Sequence, residues 1–261
     1  MEHSTGTYLS QPLEVEEVDP PGTKASAFLR WLWQHKLTST LTGILIFLVA
    51  EYLSLPSNSA IERLRKQNPK VTAIMEQRIA EKREKGRKLR VRQVWVNLPA
   101  ISQDLIHSVI VAEDGTFYEH GGIDWFEIQE SIEKNIKEGE VARGASTITQ
   151  QLAKNLFLST SRDPVRKLKE FIITMRLEKA LSKNRILEIY LNAIEWGDGI
   201  FGIEAASEHY FRKPASELSR DEAARLAAVL PNPRTLRANS GSRSVLWRRD
   251  VVLERLEARG W

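Results

Sequence analysis

Cysteine is missing altogether from the 261 residues. That excludes disulfides and thiolate chemistry, and it removes sulfur as a guide to the compartment. Histidine is scarce, with five in all. His120 has no second histidine or cysteine at ligand spacing, so a structural hydrogen-bonding ring is the plainer reading than a base or metal ligand. Charge of one sign is lacking too, because the net charge is only +4. That small basic excess is compatible with nucleic acid, an anionic membrane surface or a phosphorylated substrate, and selects none of them. Strand-like alternation is confined to Val91–Val96, and no segment repeats. The chain therefore reads as mainly α-helical.

Long apolar runs are absent with one exception. Leu37–Leu55, LTSTLTGILIFLVAEYLSL, carries a single charge, Glu51. At about 1.5 Å per residue it spans about 28 Å, close to the hydrocarbon core of a bilayer. Trp31, Trp33 and Tyr52 flank it as an interfacial belt would. The competing reading is a buried helix of a soluble domain. Residues 1–36 are polar, with an acidic patch and Pro20-Pro21, and read as a disordered tail. Residues 56–92 are charged and read as a juxtamembrane connector, leaving 93–261 as the main domain. Lys24, Arg30 and Lys36 precede the span, but a denser basic run from Arg63 to Arg92 follows it. Counted by charge alone, the large C-terminal part leans toward the cytoplasm.

Within the main domain, Ile101–Ala112 reads as a buried helix running into Glu113-Asp114. A carboxylate at the end of such a helix is expected to have a raised pKa, which suits proton transfer near neutral pH. The bland alternative is a solvated acidic pair. Asp163-Pro164 marks a helix start, followed by Val165, Leu168, Ile172 and Met175 at helical spacing, with Arg166, Glu170 and Ile173 on another stripe. Further helices are expected from about Asn184 to Leu191, from Asp221 to Leu230, and from Ser242 to Arg259. Gly197, Gly199 and Gly202 mark an irregular stretch between them. Ser131–Lys134 and Ser182–Asn184 fit fragments of acyl-transferring serine sites, but no K-T-G follows. Ser182 reads better as a helix cap.

Gly144–Asn155, GASTITQQLAKN, has no charge before Lys154 although 28% of the chain is charged. On a helix, Thr147, Gln150, Gln151 and Lys154 share one stripe and Ile148, Leu152 and Leu156 another. Hydroxyls and amides ending in a lysine suit a wall that binds sugar or phosphate oxygens. They suit a polar helix–helix seam equally well. Arg162, Arg166, Lys167 and Lys169 follow closely, either as a diphosphate site or as a solvated basic face.

Taken in order, these stretches resemble the motifs of the peptidoglycan glycosyltransferase family. They are Glu113-Asp114-x-x-Phe117-x-x-His120-x-Gly122-x-Asp124, then Gly144–Asn155, then Arg166-Lys167-x-Lys169-Glu170. Arg185-Ile186-Leu187-Glu188-x-Tyr190-Leu191-Asn192 follows, and Glu222–Ala227 runs on to Pro231-Asn232-Pro233. The likeness covers roughly Val94 to Pro233 and is nearest to the monofunctional members, which lack a transpeptidase domain. One departure stands out: Gly115-Thr116 occupies a place where many relatives carry a basic residue.

The resemblance implies a lysozyme-like helical domain beside one N-terminal transmembrane helix. It implies a single-pass protein of the inner membrane, with the tail cytoplasmic and the catalytic domain outside, against the charge count. The implied substrate is lipid II, polymerised by inverting β-1,4 transfer onto glycan strands with undecaprenyl diphosphate leaving. Glu113 is implied as general base and Glu170 as the second catalytic carboxylate. Asp114, Phe117, His120, Ser146, Thr147, Gln150, Gln151, Lys154, Asn155, Arg162, Arg166 and Lys169 are implied to bind substrate. No cofactor is implied as required; a magnesium or manganese ion is the one the family allows. The implied partners are lipid II, the nascent glycan, membrane lipid and other wall-synthesis or division proteins, and not nucleic acid. The alternative is a lysozyme-like enzyme that cleaves glycan.

Overall fold

The computed structural model describes residue 31, residues 35–138, 146–161 and 163–261. The chain divides into two units, Met1–Ser54 and Leu55–Trp261. In the first, helix α1 (Lys36–Leu53) buries no residue. Ile44, Leu45, Ile46 and Leu48 all stand open. So much bare hydrocarbon on one helix is unfavourable in water, and α1 is long and apolar enough to cross a membrane. It ends two residues short of the expected span, because Leu55 is buried in the core of the second unit.

The second unit is mainly helical. Its helices are α2 (Asn58–Arg63), α3 (Ala73–Glu84), α4 (Gln103–Glu113), α5 (Trp125–Glu138) and α6 (Ile148–Phe157), then α7 (Pro164–Ala180), α8 (Lys183–Ala193), α9 (Ile203–Phe211), α10 (Arg220–Val229) and α11 (Arg243–Ala258). The stretch read as a connector, 56–92, is part of this packed unit. Ile61, Leu64, Ile74 and Met75 are buried. Arg176 Nη1 donates to the Pro56 carbonyl at 2.9 Å and Arg185 Nε to that of Leu64 at 2.8 Å. The stretch marked by Gly197–Gly202 also proves more regular than expected. Strands β1 (Arg92–Gln93), β2 (Glu195–Gly197) and β3 (Ile200–Phe201) form a small sheet in the order β1-β3-β2. Arg92 pairs with Ile200 in parallel, while β2 runs antiparallel to β3.

Helix α8 is the centre. Ile186, Leu187, Ile189, Tyr190, Leu191, Asn192 and Ala193 are all buried, so it is enclosed nearly all round. Helix α6 packs against α7 and α8, and the alanine-rich α10 packs against α4 and α11. Helix α7 starts as expected, with Asp163 accepting from the Arg166 amide at 2.7 Å and Pro164 in its first turn. It is rotated, however, away from its apolar stripe. Glu170, Ile173, Thr174 and Leu177 face inward, whereas Leu168, Phe171 and Met175 stand exposed.

Buried polar residues of α8 stitch the chain together. The amide of Asn192 donates to the Val96 and Glu188 carbonyls, both at 2.8 Å, and its Oδ1 accepts from the Val96 amide at 2.9 Å. Glu188 Oε2 accepts from the Leu98 amide at 2.9 Å. The segment leading into α4 is thereby fixed to α8. Replacing Asn192 by alanine strands the amide and carbonyl of Val96 and is expected to cost about 2–4 kcal/mol, read from the urea midpoint of the full-length protein in detergent.

Candidate active site

Glu113 is the last residue of α4, a helix whose other late positions, Val109, Ile110 and Val111, are buried. Burial pushes its carboxyl above the usual carboxylate range. Neighbours offset part of that: Gln151 Nε2 donates to Glu113 Oε2 at 2.7 Å, and the charges of Lys154 and Arg248 favour the anion. Gln151 is itself oriented, because the Tyr190 hydroxyl donates to its Oε1 at 2.9 Å. The hydroxyl of Tyr190 is held un-ionised, its pKa driven well up by burial. A line Tyr190–Gln151–Glu113 thus fixes one carboxylate oxygen of Glu113.

Lys154 lies one turn beyond Gln151 on α6. Burial lowers its pKa, and the carboxylates of Glu170 and Glu113 pull it back up. Glu170 is buried on α7. Arg166 Nη1 donates to its Oε2 at 2.5 Å, and Lys167 Nζ to its Oε1. Lys167 also reaches Ser146 Oγ at 3.3 Å, and Arg166 Nε is buried with no partner among the described residues. Glu113, Lys154, Glu170, Arg166, Lys167 and Ser146 therefore form one electrostatic neighbourhood. Lys167 was passed over among the site residues in favour of Lys169. The signal was available, since residues three apart share a helix face and adjacent residues do not.

Other candidates turn out to hold the frame. Phe117 is fully buried, with Lys183 Nζ 4.5 Å from its ring centre. Thr147 and Gln150, expected on a binding wall, are buried as well. Thr147 caps α6: its Oγ1 accepts from the Gln150 amide and donates to the Gly122 carbonyl at 2.7 Å, and Gln150 Oε1 accepts from the Thr147 amide at 3.0 Å. A capping box is what this part of the uncharged stripe encodes. Asn155 is half-buried in the last turns of α6. Gly144, Ala145 and Arg162 lie outside the described residues.

Asp114 ties the first motif to the second. Its Oδ2 accepts from the Ile148 amide at the start of α6 at 2.9 Å, and its Oδ1 from His120 Nε2 at 2.8 Å. His120 Nδ1 accepts from the Gly122 amide at 3.0 Å. Both ring nitrogens are used, as the structural reading expected. Gly122 turns the chain at φ +91°, where a Cβ would come within 2.6 Å of Glu178 Cγ, so no larger residue fits. The ligand atoms of Asp114, His120 and Asp124 lie within 4.8 Å of one another. Asp124, however, accepts from Thr116 and from the Glu127 amide. The trio is a closed hydrogen-bond cluster and does not fit a resident magnesium or manganese ion as arranged.

Comparison with known proteins bears on what such a site does. Residues 78–257 match the family model described as Transglycosylase. The chain is 51% identical over 186 residues to a protein of Thiobacillus denitrificans named biosynthetic peptidoglycan transglycosylase, covering 71% of this chain and 79% of that one. Proteins of the same name from Nitrosospira multiformis and Laribacter hongkongensis are 53% and 46% identical, covering 64% and 72% of this chain and 73% and 83% of their own.

The raised pKa of Glu113 links to stability with a definite sign. Below the unfolded pKa the carboxyl is neutral in both states. As pH rises through the folded value, the buried anion weighs on the folded state alone. A neutral glutamine of the same shape escapes that cost. Glu113→Gln should therefore melt with wild type near about pH 4 and above it near about pH 8, in thermal scans of the full-length protein. A melting difference that stays constant, or shrinks as pH rises, would contradict the burial.

Proposed function

Because the chain belongs to the transglycosylase family, we propose that Glu113 and the cations around Glu170 are the two halves of a site that polymerises lipid II. The protein is a peptidoglycan glycosyltransferase that builds glycan strands. The observation that carries the finer reading is that a half-buried carboxylate, Glu113, and a cation-bound one, Glu170, both act on the charge of Lys154.

In this reading the ionised Glu113 takes the proton of the acceptor GlcNAc 4-hydroxyl as that oxygen attacks C1 of the donor MurNAc. The bond from C1 to the diphosphate oxygen breaks, configuration inverts, and undecaprenyl diphosphate leaves. A raised pKa makes the anion a stronger base. Gln151 holds Oε2, which leaves Oε1 to the hydroxyl. The leaving group gains negative charge as the bond breaks, so cations placed there stabilise the transition state more than the ground state. Lys154, Arg166 and Lys167 supply that charge, with Arg162 and Lys169 as further donors on the same segment. Glu170 acts by holding Arg166 and Lys167 in place. Ser146 and Asn155 flank the diphosphate end. The chain's own residues carry every step; a divalent cation would enter with the diphosphate.

Helix α1 anchors the enzyme in the inner membrane, where its lipid-linked substrate resides. We place the catalytic unit on the extracytoplasmic side, since long domains cross largely regardless of flanking charge. A reporter fused after Trp261 that reacts only in the cytoplasm would overturn that placement. Other wall-synthesis or division proteins are the expected neighbours.

Full-length protein with fluorescent lipid II should give long glycan. Glu113→Gln should lose at least about a hundredfold in rate, and Lys154→Ala a comparable amount. The rate of wild type should rise with pH through the elevated Glu113 value. Shortening of preformed glycan, with no polymer from lipid II, would instead favour the cleaving alternative.

A further inference from the structure

Helix α4 stops at Glu113, so its last carbonyls lack partners within the helix. The Ile110 carbonyl is taken by the Asp114 amide at 2.9 Å. That of Val111 accepts from Arg255 Nη1 at 3.0 Å. Past the turn, the Gly115 carbonyl accepts from Arg259 Nη1 at 2.6 Å. Both arginines come from the opposite end of the chain, on α11 and the residue that caps it. They are four residues apart and so share one helical face. Their two acceptors bracket Glu113, two positions before it and two after.

Two further observations tie these exposed arginines to the helix that bears Glu113. Trp261 stacks on His107 of α4 with ring centres 4.2 Å apart, and the Arg259 guanidinium lies 5.6 Å from the Trp261 ring. The chain end is thereby seated on the helix that presents Glu113. The same arginines, with Glu113, Gly115 and Glu127, line a cavity of about 440 Å³ between α4 and α11. Arg259 lies beyond the residues that the family model matches.

We propose that Arg255 and Arg259 are positioning residues for Glu113, a guanidinium clamp that the C-terminal helix closes over the turn bearing the base. The inference rests on Glu113 acting as base. The carboxylate sits at a helix C-terminus, and freeing the carbonyls on either side would let it swing out of line with the acceptor hydroxyl. Misplacement on that scale lowers the rate of the chemical step with little effect on binding.

The test uses full-length enzyme in detergent with fluorescent lipid II. Arg259→Met and Arg255→Met should each lower kcat about tenfold, with KM unchanged within about twofold. Arg259→Lys should recover most of the loss. A rise in KM at constant kcat, or wild-type turnover in both Arg255→Met and Arg259→Met, would overturn the clamp. So would a loss that follows a fall in melting temperature across all variants, Arg259→Lys included. Glu113→Gln is the control for the underlying reading. If it still polymerises, the base assignment fails; if it is inactive while Arg259→Met turns over normally, the clamp alone fails.

Discussion

Glu113 occupies a position that elementary electrostatics disfavours twice over. It ends a helix, where the dipole repels negative charge, and it is buried enough that desolvation dominates its titration. A carboxylate left there without help would stay protonated and serve poorly as a base. The surrounding structure supplies limited help: one neutral amide from Gln151 and the more distant charges of Lys154 and Arg248. No guanidinium or ammonium forms an ion pair with it among the described residues. The result is a carboxyl that ionises with difficulty and is reactive once ionised. The arrangement of α4, α6 and α8 follows from that balance, because Gln151 must be held by Tyr190 for its amide to face the right way.

Glu170 illustrates the opposite treatment of the same functional group. It is more deeply buried, and Arg166 and Lys167 bond both of its oxygens. It therefore serves as an anchor that gathers positive charge around itself. Lys154 feels both carboxylates, which gives the site a polarity: a desolvated carboxyl at one end and a cluster of cations at the other. Environments that drive two like groups apart are a common way to divide roles within one site. Here the division is built by turning α7 so that its ionic stripe faces inward and part of its apolar stripe faces out. A hydrophobic-core argument alone would have turned that helix the other way.

Much of this was legible in the chain, and the exceptions share a cause. Ordered motifs located α4, α6, α7 and α8, and the end-of-helix position of Glu113 pointed to a raised pKa. What single-helix periodicity could not supply was the partner of each polar group. Thr147 and Gln150 looked like ligand-binding residues because they are uncharged and share a stripe. They are buried because they bond each other across a helix start. Phe117 looked like a contact and is core. Lys167 was hidden in a run of basic residues, and only the packing of α7 shows that it bonds Glu170. The small sheet was missed because β1 and β3 are far apart in sequence and only two residues long.

The same reasoning explains why an active site of this kind recruits so much of the chain. Glu113 is held from one side by α6, which α8 supports through Tyr190. Asp114 fastens the following turn to the first amide of α6, so the motif bearing the base and the motif bearing Gln151 and Lys154 move as one body. Asn192 and Glu188 then fix the segment entering α4 to α8. Each link is a buried hydrogen bond whose loss strands a partner, and such bonds cost more to break than they contribute when made. The geometry is thereby secured before substrate arrives, which is the condition under which fixed dipoles and charges lower a barrier without reorganising during the reaction. An exposed carboxylate on a mobile loop would keep its ordinary pKa and would have to be ordered in every turnover.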